Sequence, residues 1–431
     1  MQLFGTSGIR GVADSNLIQL ALKVGLSVGK TYGNVVIGSD TRTSSDAMKH
    51  ALVSGVLTAG SGCFDAGVIP TPTLALAAKE FEAGVMVTAS HNPPQYNGIK
   101  LLNSDGSAFN SYQQKQIEES VSGDSFPTAR WEEIKSSSIY NGAIGKHIER
   151  LLQDFPGGLK VRVVVDSGCG AASLVTPYLL KKLGGEVFAL NCYPSGLFPR
   201  DIEPTGANLR DLIQATKEFG ADLGIAHDGD GDRMMAVDDR GRFVSGDKLL
   251  AIFAREVEAK EVVTTIDASM VMDDMDFKVT RTRVGDTNVS GELRKGGDFG
   301  GEPSGSWVFP NISLCPDGIY AAAQLVTIAS RQKLSQLVDS LPGYPILRGG
   351  VTGKVVMSRL ETRLMAVEPL SVSKVDGIKL SFEDGWLLVR KSGTEPKVRV
   401  TAEAKSQARV RQLYDDGVSA VRASMERSEG K

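Results

Sequence analysis

The sequence predicts an α/β protein: three similar α/β units with mixed or parallel sheets, then a smaller α+β unit, arranged around a central cleft. Three observations predict it. An apolar, strand-like run ending in Asp occurs three times, at 35–40 (VVIGSD), 161–166 (VRVVVD) and 262–267 (VVTTID). Helical patterns follow the first two, at 48–59 and 174–183, and such alternation of strand and helix implies parallel sheets covered by helices. Downstream of each run a second short strand, at 84–87, 223–226 and 298–300, opens into a loop dense in polar and glycine residues. Ligands of open α/β sheets gather at the carboxyl ends of strands, so three such units each offer one loop to a shared cleft.

The 431 residues are enough for two to four domains of ~100–200 residues. The expected divisions are 1–150, 151–245, 246–345 and 346–431. In the last of these, strand-like runs at 354–357, 377–382, 386–389 and 398–403 precede a helix over 406–425, which reads as α+β. Lys plus Arg number 48 against 51 Asp plus Glu, which gives no electrostatic reason to expect nucleic acid or an anionic membrane as partner. Cys63, Cys169, Cys192 and Cys315 form no C-x-x-C pair, which argues against a zinc site and fits free thiols in a reducing compartment. MQLFGTSGIRG is not a signal peptide, and no segment reaches the ~18 apolar residues of a membrane span. A cytoplasmic protein is expected. No heptad or other association signal chooses between monomer and homodimer.

The loops carry the chemistry. Ser90 lies in TASHNP (88–93), and a serine hydroxyl becomes reactive only when activated or when it already carries the group to be transferred. Alone, it reads equally as a turn-capping serine. Asp228, Asp230 and Asp232 alternate with glycines in DGDGDR (228–233). Three carboxylates at that spacing can converge on one hard cation, and without one they would repel each other. An EF-hand would need glycine at the sixth position, where this loop has Arg233. Glu302 and Ser304 in GEPSG (301–305) offer an acceptor and a hydroxyl of the kind sugar hydroxyls need, although an ordinary turn has the same composition. Arg390, Ser392, Gly393 and Thr394 in RKSGTEP (390–396) combine a cation, two hydroxyls and a glycine, a set suited to an anion. Arg10 in GTSGIRG (5–11) can neutralise charge on a phosphoryl group in transfer. Lys100 can move protons if burial or neighbouring cations depress its pKa.

Together, in this order and spacing, these five motifs resemble the α-D-phosphohexomutase family over residues 1 to about 405. The resemblance implies four domains around a central cleft and an intramolecular phosphotransfer between hexose 6-phosphate and hexose 1-phosphate. It implies that Ser90 carries the catalytic phosphate, and that Asp228, Asp230 and Asp232, with the Ser90 phosphate, hold Mg2+. It implies that Arg10 and Lys100 flank the transfer, that Glu302 and Ser304 contact sugar hydroxyls, and that Arg390, Ser392, Gly393 and Thr394 grip the non-reacting phosphate. A hexose bisphosphate would be both intermediate and activator. The stretches VGDT (284–287) and TEPKVRV (394–400) look most like the phosphoglucosamine branch, especially its archaeal members, with glucose and mannose phosphates as alternative substrates. One departure is Ser306, where many relatives have His. Two rival readings are a sugar-phosphate phosphatase and a non-catalytic sugar-phosphate sensor.

Overall fold

The computed structural model of the protein describes residues 3–5, 7–124, 126, 128–391 and 397–425. The first sheet contains β1 (Ile9–Val12), β2 (Asn34–Ser39), β3 (Gly62–Val68), β4 (Ala83–Val87), β5 (Tyr96–Asn103) and β6 (Ser137–Ile139), in the order β1-β5-β4-β2-β3-β6. The second contains β7 (Arg162–Asp166), β8 (Glu186–Leu190), β9 (Leu223–His227), β10 (Met234–Asp238) and β11 (Phe243–Val244), in the order β11-β10-β9-β7-β8. The third contains β12 (Glu261–Thr265), β13 (Lys278–Thr282), β14 (Phe299–Gly301) and β15 (Trp307–Val308), in the order β13-β12-β14-β15.

One arrangement recurs in all three. The Asp-ended runs form β2, β7 and β12, each lying between two parallel neighbours. Burial on both faces explains why these strands read as continuous apolar runs. The later neighbour (β4, β9 or β14) then reverses into an antiparallel strand (β5, β10 or β15). The reversals are the loops around Ser90, Asp228–Asp232 and Glu302, so one topological step places all three at equivalent sheet edges.

Packing holds the units together. In the first, helices Ser15–Thr31 and Ser45–Thr58 cross so closely that a Cβ on Gly55 would stand 2.3 Å from the Leu22 carbonyl oxygen. The second and third units share one apolar core, in which helix Gly318–Ala329 is buried almost throughout and packs beside β9 and β10 of the second sheet and helix Gly246–Glu256 of the third unit. Helix Ala143–Leu152 bridges the first two. Its His147 ring lies 2.8 Å from the Thr73 hydroxyl, while its Leu151 packs in the core around Val163 and Val165.

The fourth sheet is wholly antiparallel: β16 (Ile346–Thr352), β17 (Ser371–Ser373), β18 (Ile378–Phe382), β19 (Gly385–Lys391) and β20 (Lys397–Ala404), in the order β16-β20-β19-β18-β17. Helix Gln407–Ala423 covers it, capped by the Ser406 hydroxyl. The strand expected at 354–357 is not formed. Val355 makes only an isolated bridge to Met425, and helix Met357–Met365 starts there because Leu360 and Leu364, four apart, bury one face. The fourth unit docks on the third through Glu403, which accepts from the Met270 N–H and the Trp386 indole, both at 2.7 Å, and also from the Ser269 hydroxyl. Among the described residues no helix is long and apolar enough to cross a membrane.

Candidate active site

Ser90 is buried and adopts φ 52°, a left-handed conformation uncommon outside glycine. Its hydroxyl donates to Asp228 Oδ2 at 2.7 Å and lies 3.2 Å from His91 Nδ1. The loop is held from behind by Arg42, whose side chain is fully buried. Arg42 donates to the carbonyls of Ser90, Asn92, Pro93 and Tyr96 at 2.7–2.9 Å, and its Nε meets Asp40 Oδ2 at 3.0 Å. The second unit repeats the device: Arg200 donates to Asp166 at 2.8 Å and to the carbonyl of His227, beside Asp228, at 2.8 Å. The Asp that ends each of these two strand runs thus anchors an arginine that holds the functional loop. The sequence reading used those aspartates only as strand ends and missed both arginines, although Arg42 stands two residues after Asp40.

Asp228, Asp230 and Asp232 are buried, each with a carboxylate oxygen within 4.8 Å of the others. Lys100 donates to Asp230 Oδ2 at 2.7 Å and to Asp232 Oδ2 at 2.5 Å, and the Thr71 hydroxyl also donates to Asp230 Oδ2 at 2.5 Å. The Oδ1 atoms of Asp230 and Asp232 are buried without a hydrogen-bond partner. A cluster of hard oxygen donors with two unsatisfied atoms fits a hard divalent cation. Electrostatics agree. Burial, then Asp230 and Asp232, pushes the Asp228 carboxyl well above its ordinary range. Asp230 stays below that range because Lys100 outweighs the burial.

The depressed pKa expected for Lys100 is not found. Burial opposes its charge, but Asp230 and Asp232 more than compensate and raise the pKa, so Lys100 is an ammonium here. His91 is the opposite case: burial first, then Arg233, Arg10 and Lys100, lower its pKa far enough to keep the ring neutral. Arg10, on β1, reaches Asn92 Oδ1 at 2.7 Å.

Glu302 is buried and accepts from the Gly285 N–H at 2.8 Å. Burial, then Asp286, raises its pKa to about 7. The Ser304 hydroxyl is buried without a partner. Ser306 forms a bridge to Arg233 and its carbonyl accepts from the Glu302 N–H at 2.9 Å, so this position ties the 228–233 and 301–305 loops through backbone. A cleft of about 1040 Å3 is lined by Ser7, Arg10, His91, Arg200, Glu203 and Arg399, among others. Arg390 is not among that lining. It sits 3.8 Å from Asp376, and its cross-strand neighbour Arg399 faces the cleft instead. Ser392, Gly393 and Thr394 lie outside the described residues.

Comparison with known proteins places this geometry. Four family profiles match in series: phosphoglucomutase/phosphomannomutase alpha/beta/alpha domain I over residues 1–128, domain II over 141–241, domain III over 245–344, and the C-terminal domain over 354–420. The chain is 49% identical to a probable phosphoglucosamine mutase of Methanosarcina acetivorans, covering 96% of this chain and 98% of that one. It is 47% identical to the probable phosphoglucosamine mutase of Methanocella arvoryzae, covering 98% of each. A phosphoglucomutase/phosphomannomutase family protein of Burkholderia thailandensis superposes with a TM-score of 0.88 at 28% identity, over 98% of this chain and 97% of that one. An N-acetylphosphoglucosamine mutase of Aspergillus fumigatus shares the fold at a TM-score of 0.64 and 16% identity, over 99% and 96%. With four consecutive domains matched and the serine, aspartate and glutamate loops meeting at equivalent sheet edges, the chain belongs to the phosphoglucomutase/phosphomannomutase family.

Proposed function

We propose that the protein interconverts glucosamine 6-phosphate and glucosamine 1-phosphate by two phosphoryl transfers through Ser90. The observation that carries this reading is the Ser90 hydroxyl, held 2.7 Å from Asp228 beside two carboxylates with unsatisfied oxygens. The curated relatives at 47–49% identity bear the name probable phosphoglucosamine mutase, which favours glucosamine over glucose or mannose.

In the first transfer the bond from phosphorus to Ser90 Oγ breaks and a bond to the substrate hydroxyl oxygen forms, giving a hexose bisphosphate. The bisphosphate turns over in the cleft, and its other phosphate returns to Ser90. Asp228, Asp230 and Asp232 would hold a magnesium ion, whose positive charge would offset the charge on the transferring group. Arg10 adds a fixed cation on the cleft side. Each transfer releases a proton from the attacking hydroxyl and requires one at the departing oxygen. Lys100 starts protonated, so it gives its proton to the departing oxygen first and, as the free amine, then takes up the one the attacking oxygen loses. Glu302 and Ser304 accept and donate to ring hydroxyls. Arg390, Ser392, Gly393 and Thr394 would hold the non-reacting phosphate, as the family resemblance implies, and Arg399, the cross-strand neighbour of Arg390, lines the cleft.

Initial rates on glucosamine, glucose and mannose phosphates, with magnesium and a trace of the matching bisphosphate, test the reading. Preference for glucosamine 6-phosphate and loss of turnover in Ser90→Ala, with sugar-phosphate binding retained, are expected. Full activity in Ser90→Ala would sink the phosphoserine mechanism, and release of inorganic phosphate at the turnover rate would make the protein a phosphatase.

A further inference from the structure

Asp286 has no part in the mechanism above, yet three functional loops meet at it. It opens helix Asp286–Leu293, directly after Gly285, whose φ of 129° sets the turn. The Gly285 N–H donates to Glu302 Oε1 at 2.8 Å, which ties the Asp286 backbone to the glutamate of the sugar loop. Its own Oδ1 accepts from the Ser7 hydroxyl at 2.5 Å, and Ser7 lines the main cleft. Asp286 also lines a small cavity of about 30 Å3 together with Lys100 and Asp232.

The charges around it are unbalanced. Among the described residues neither Asp286 nor Glu302 forms an ion pair. Lys100 is paired with Asp230 and Asp232 and Arg233 with Glu203 at 3.3 Å, while Arg10 donates to the neutral Asn92 amide and its charge is shared among Asp230, Asp286 and Asp232. Burial raises the Glu302 pKa most, and Asp286 adds to it, so the two carboxylates feel each other's charge. A ring carrying only hydroxyls gives no reason for a second carboxylate, because neutral acceptors such as Ser304 suffice for O–H donors. An ammonium brings up to three donors and the missing positive charge, and its hydrogen bonds to carboxylates are the stronger, charge-assisted kind.

We propose that Asp286 is the specificity-determining residue for the sugar, its second carboxylate oxygen, which accepts from none of the described residues, receiving the C2 ammonium of a hexosamine phosphate beside Glu302. This rests on the phosphotransfer reading and adds to it the group that distinguishes amino from neutral hexoses.

The test is the ratio of kcat/KM for glucosamine 6-phosphate to that for glucose 6-phosphate, measured on the full chain with magnesium and matching bisphosphates. Asp286→Asn should lower the ratio at least about tenfold, the range of one hydrogen bond to a charged group. Asp286→Glu should recover part of it. An equal fall for both sugars would overturn the proposal and make Asp286 a positioning residue for Lys100 or Arg10, and an unchanged ratio would overturn it as well. If Asp286→Asn does not fold, the wild type still decides: 2-deoxyglucose 6-phosphate should show a higher KM than glucosamine 6-phosphate, and equal KM values would refute the assignment. Wild-type protein that turns over no hexose phosphate would refute the phosphotransfer reading itself.

Discussion

Replacing Lys100 by methionine isolates the electrostatics of the Asp228–Asp232 loop. Its ammonium lies 2.7 Å from Asp230 and 2.5 Å from Asp232, and none of the three side chains is more than 8% exposed. Removing one partner of a buried ion pair costs roughly 3–5 kcal/mol, because the other partner is left charged and unpaired. Here two carboxylates are left together. At ~2–4 °C per kcal/mol for a cooperative unit of ~150–250 residues, the melting temperature should fall roughly 6–20 °C in EDTA. Saturating magnesium supplies the missing positive charge, so the loss should shrink to less than half. The ionisation signs fix where to measure. The Lys100 pKa is raised, so its contribution is complete below the ordinary 10.5 and fades only as pH rises through the higher folded value. The Asp230 pKa is depressed, so its contribution is complete above 3.8 and fades as pH falls below it. Calorimetry at pH 7 therefore reads Lys100 and Asp230 in their charged forms. Equal losses with and without magnesium, or no loss in EDTA, would refute the view that Lys100 and a cation compete for the same carboxylates. Turnover should be lost in either condition.

Glu302→Gln should flatten the pH dependence of stability. A carboxyl whose folded pKa is about 7, against an ordinary 4.5, destabilises the folded state progressively as pH rises through that window, by about 3 kcal/mol in all; thermal melts from pH 4.5 to 8 should show the wild type losing stability that the variant keeps, and parallel curves would count against the buried, charged Glu302. Arg42→Lys should lower kcat/KM by about 100-fold, since an ammonium cannot span four carbonyls and Asp40, and small displacements of a reacting group have that effect; near wild-type rates would mean that the Ser90 loop holds its shape without the guanidinium. Glu403→Leu should loosen the fourth unit by taking the shared acceptor from Ser269, Met270 and Trp386, read as a red shift in tryptophan emission and faster hydrogen exchange at Met270; unchanged exchange would show that the apolar contact of Ile266, Trp386 and Leu388 suffices for docking.

The three-unit architecture was legible because it rests on local signals. Buried parallel strands must be apolar throughout, and loops at sheet edges must carry glycine and polar groups, so both leave marks within ten residues. The Asp228–Asp232 loop was legible for the same reason. Contacts between distant segments were not. Thr71 reaching Asp230, and Ser7 reaching Asp286, join residues 159 and 279 positions apart that carry no mark of each other. The region 346–365 was misread for a different reason. Strand β16 contains Arg348, Gly349 and Gly350 and is largely exposed, which hides the usual alternation, whereas the apolar 354–357 run spends its hydrophobicity against the end of a helix rather than in a sheet. The charge state of Lys100 was not legible either, because the aspartates that set it stand 130 and 132 positions away.

The left-handed backbone of Ser90 separates robustness from activity. A non-glycine residue held there carries strain of order 1–3 kcal/mol, and glycine relieves it without moving the chain. Ser90→Gly exchanges that strain for the lost hydroxyl bond to Asp228, a term of similar size, so it would come close to silent in a screen for folding, solubility or abundance while removing the oxygen that the proposed mechanism phosphorylates. Selection for thermal hardiness alone would let such inert variants pass. Any directed evolution of this scaffold has to couple its stability screen to turnover from the first round.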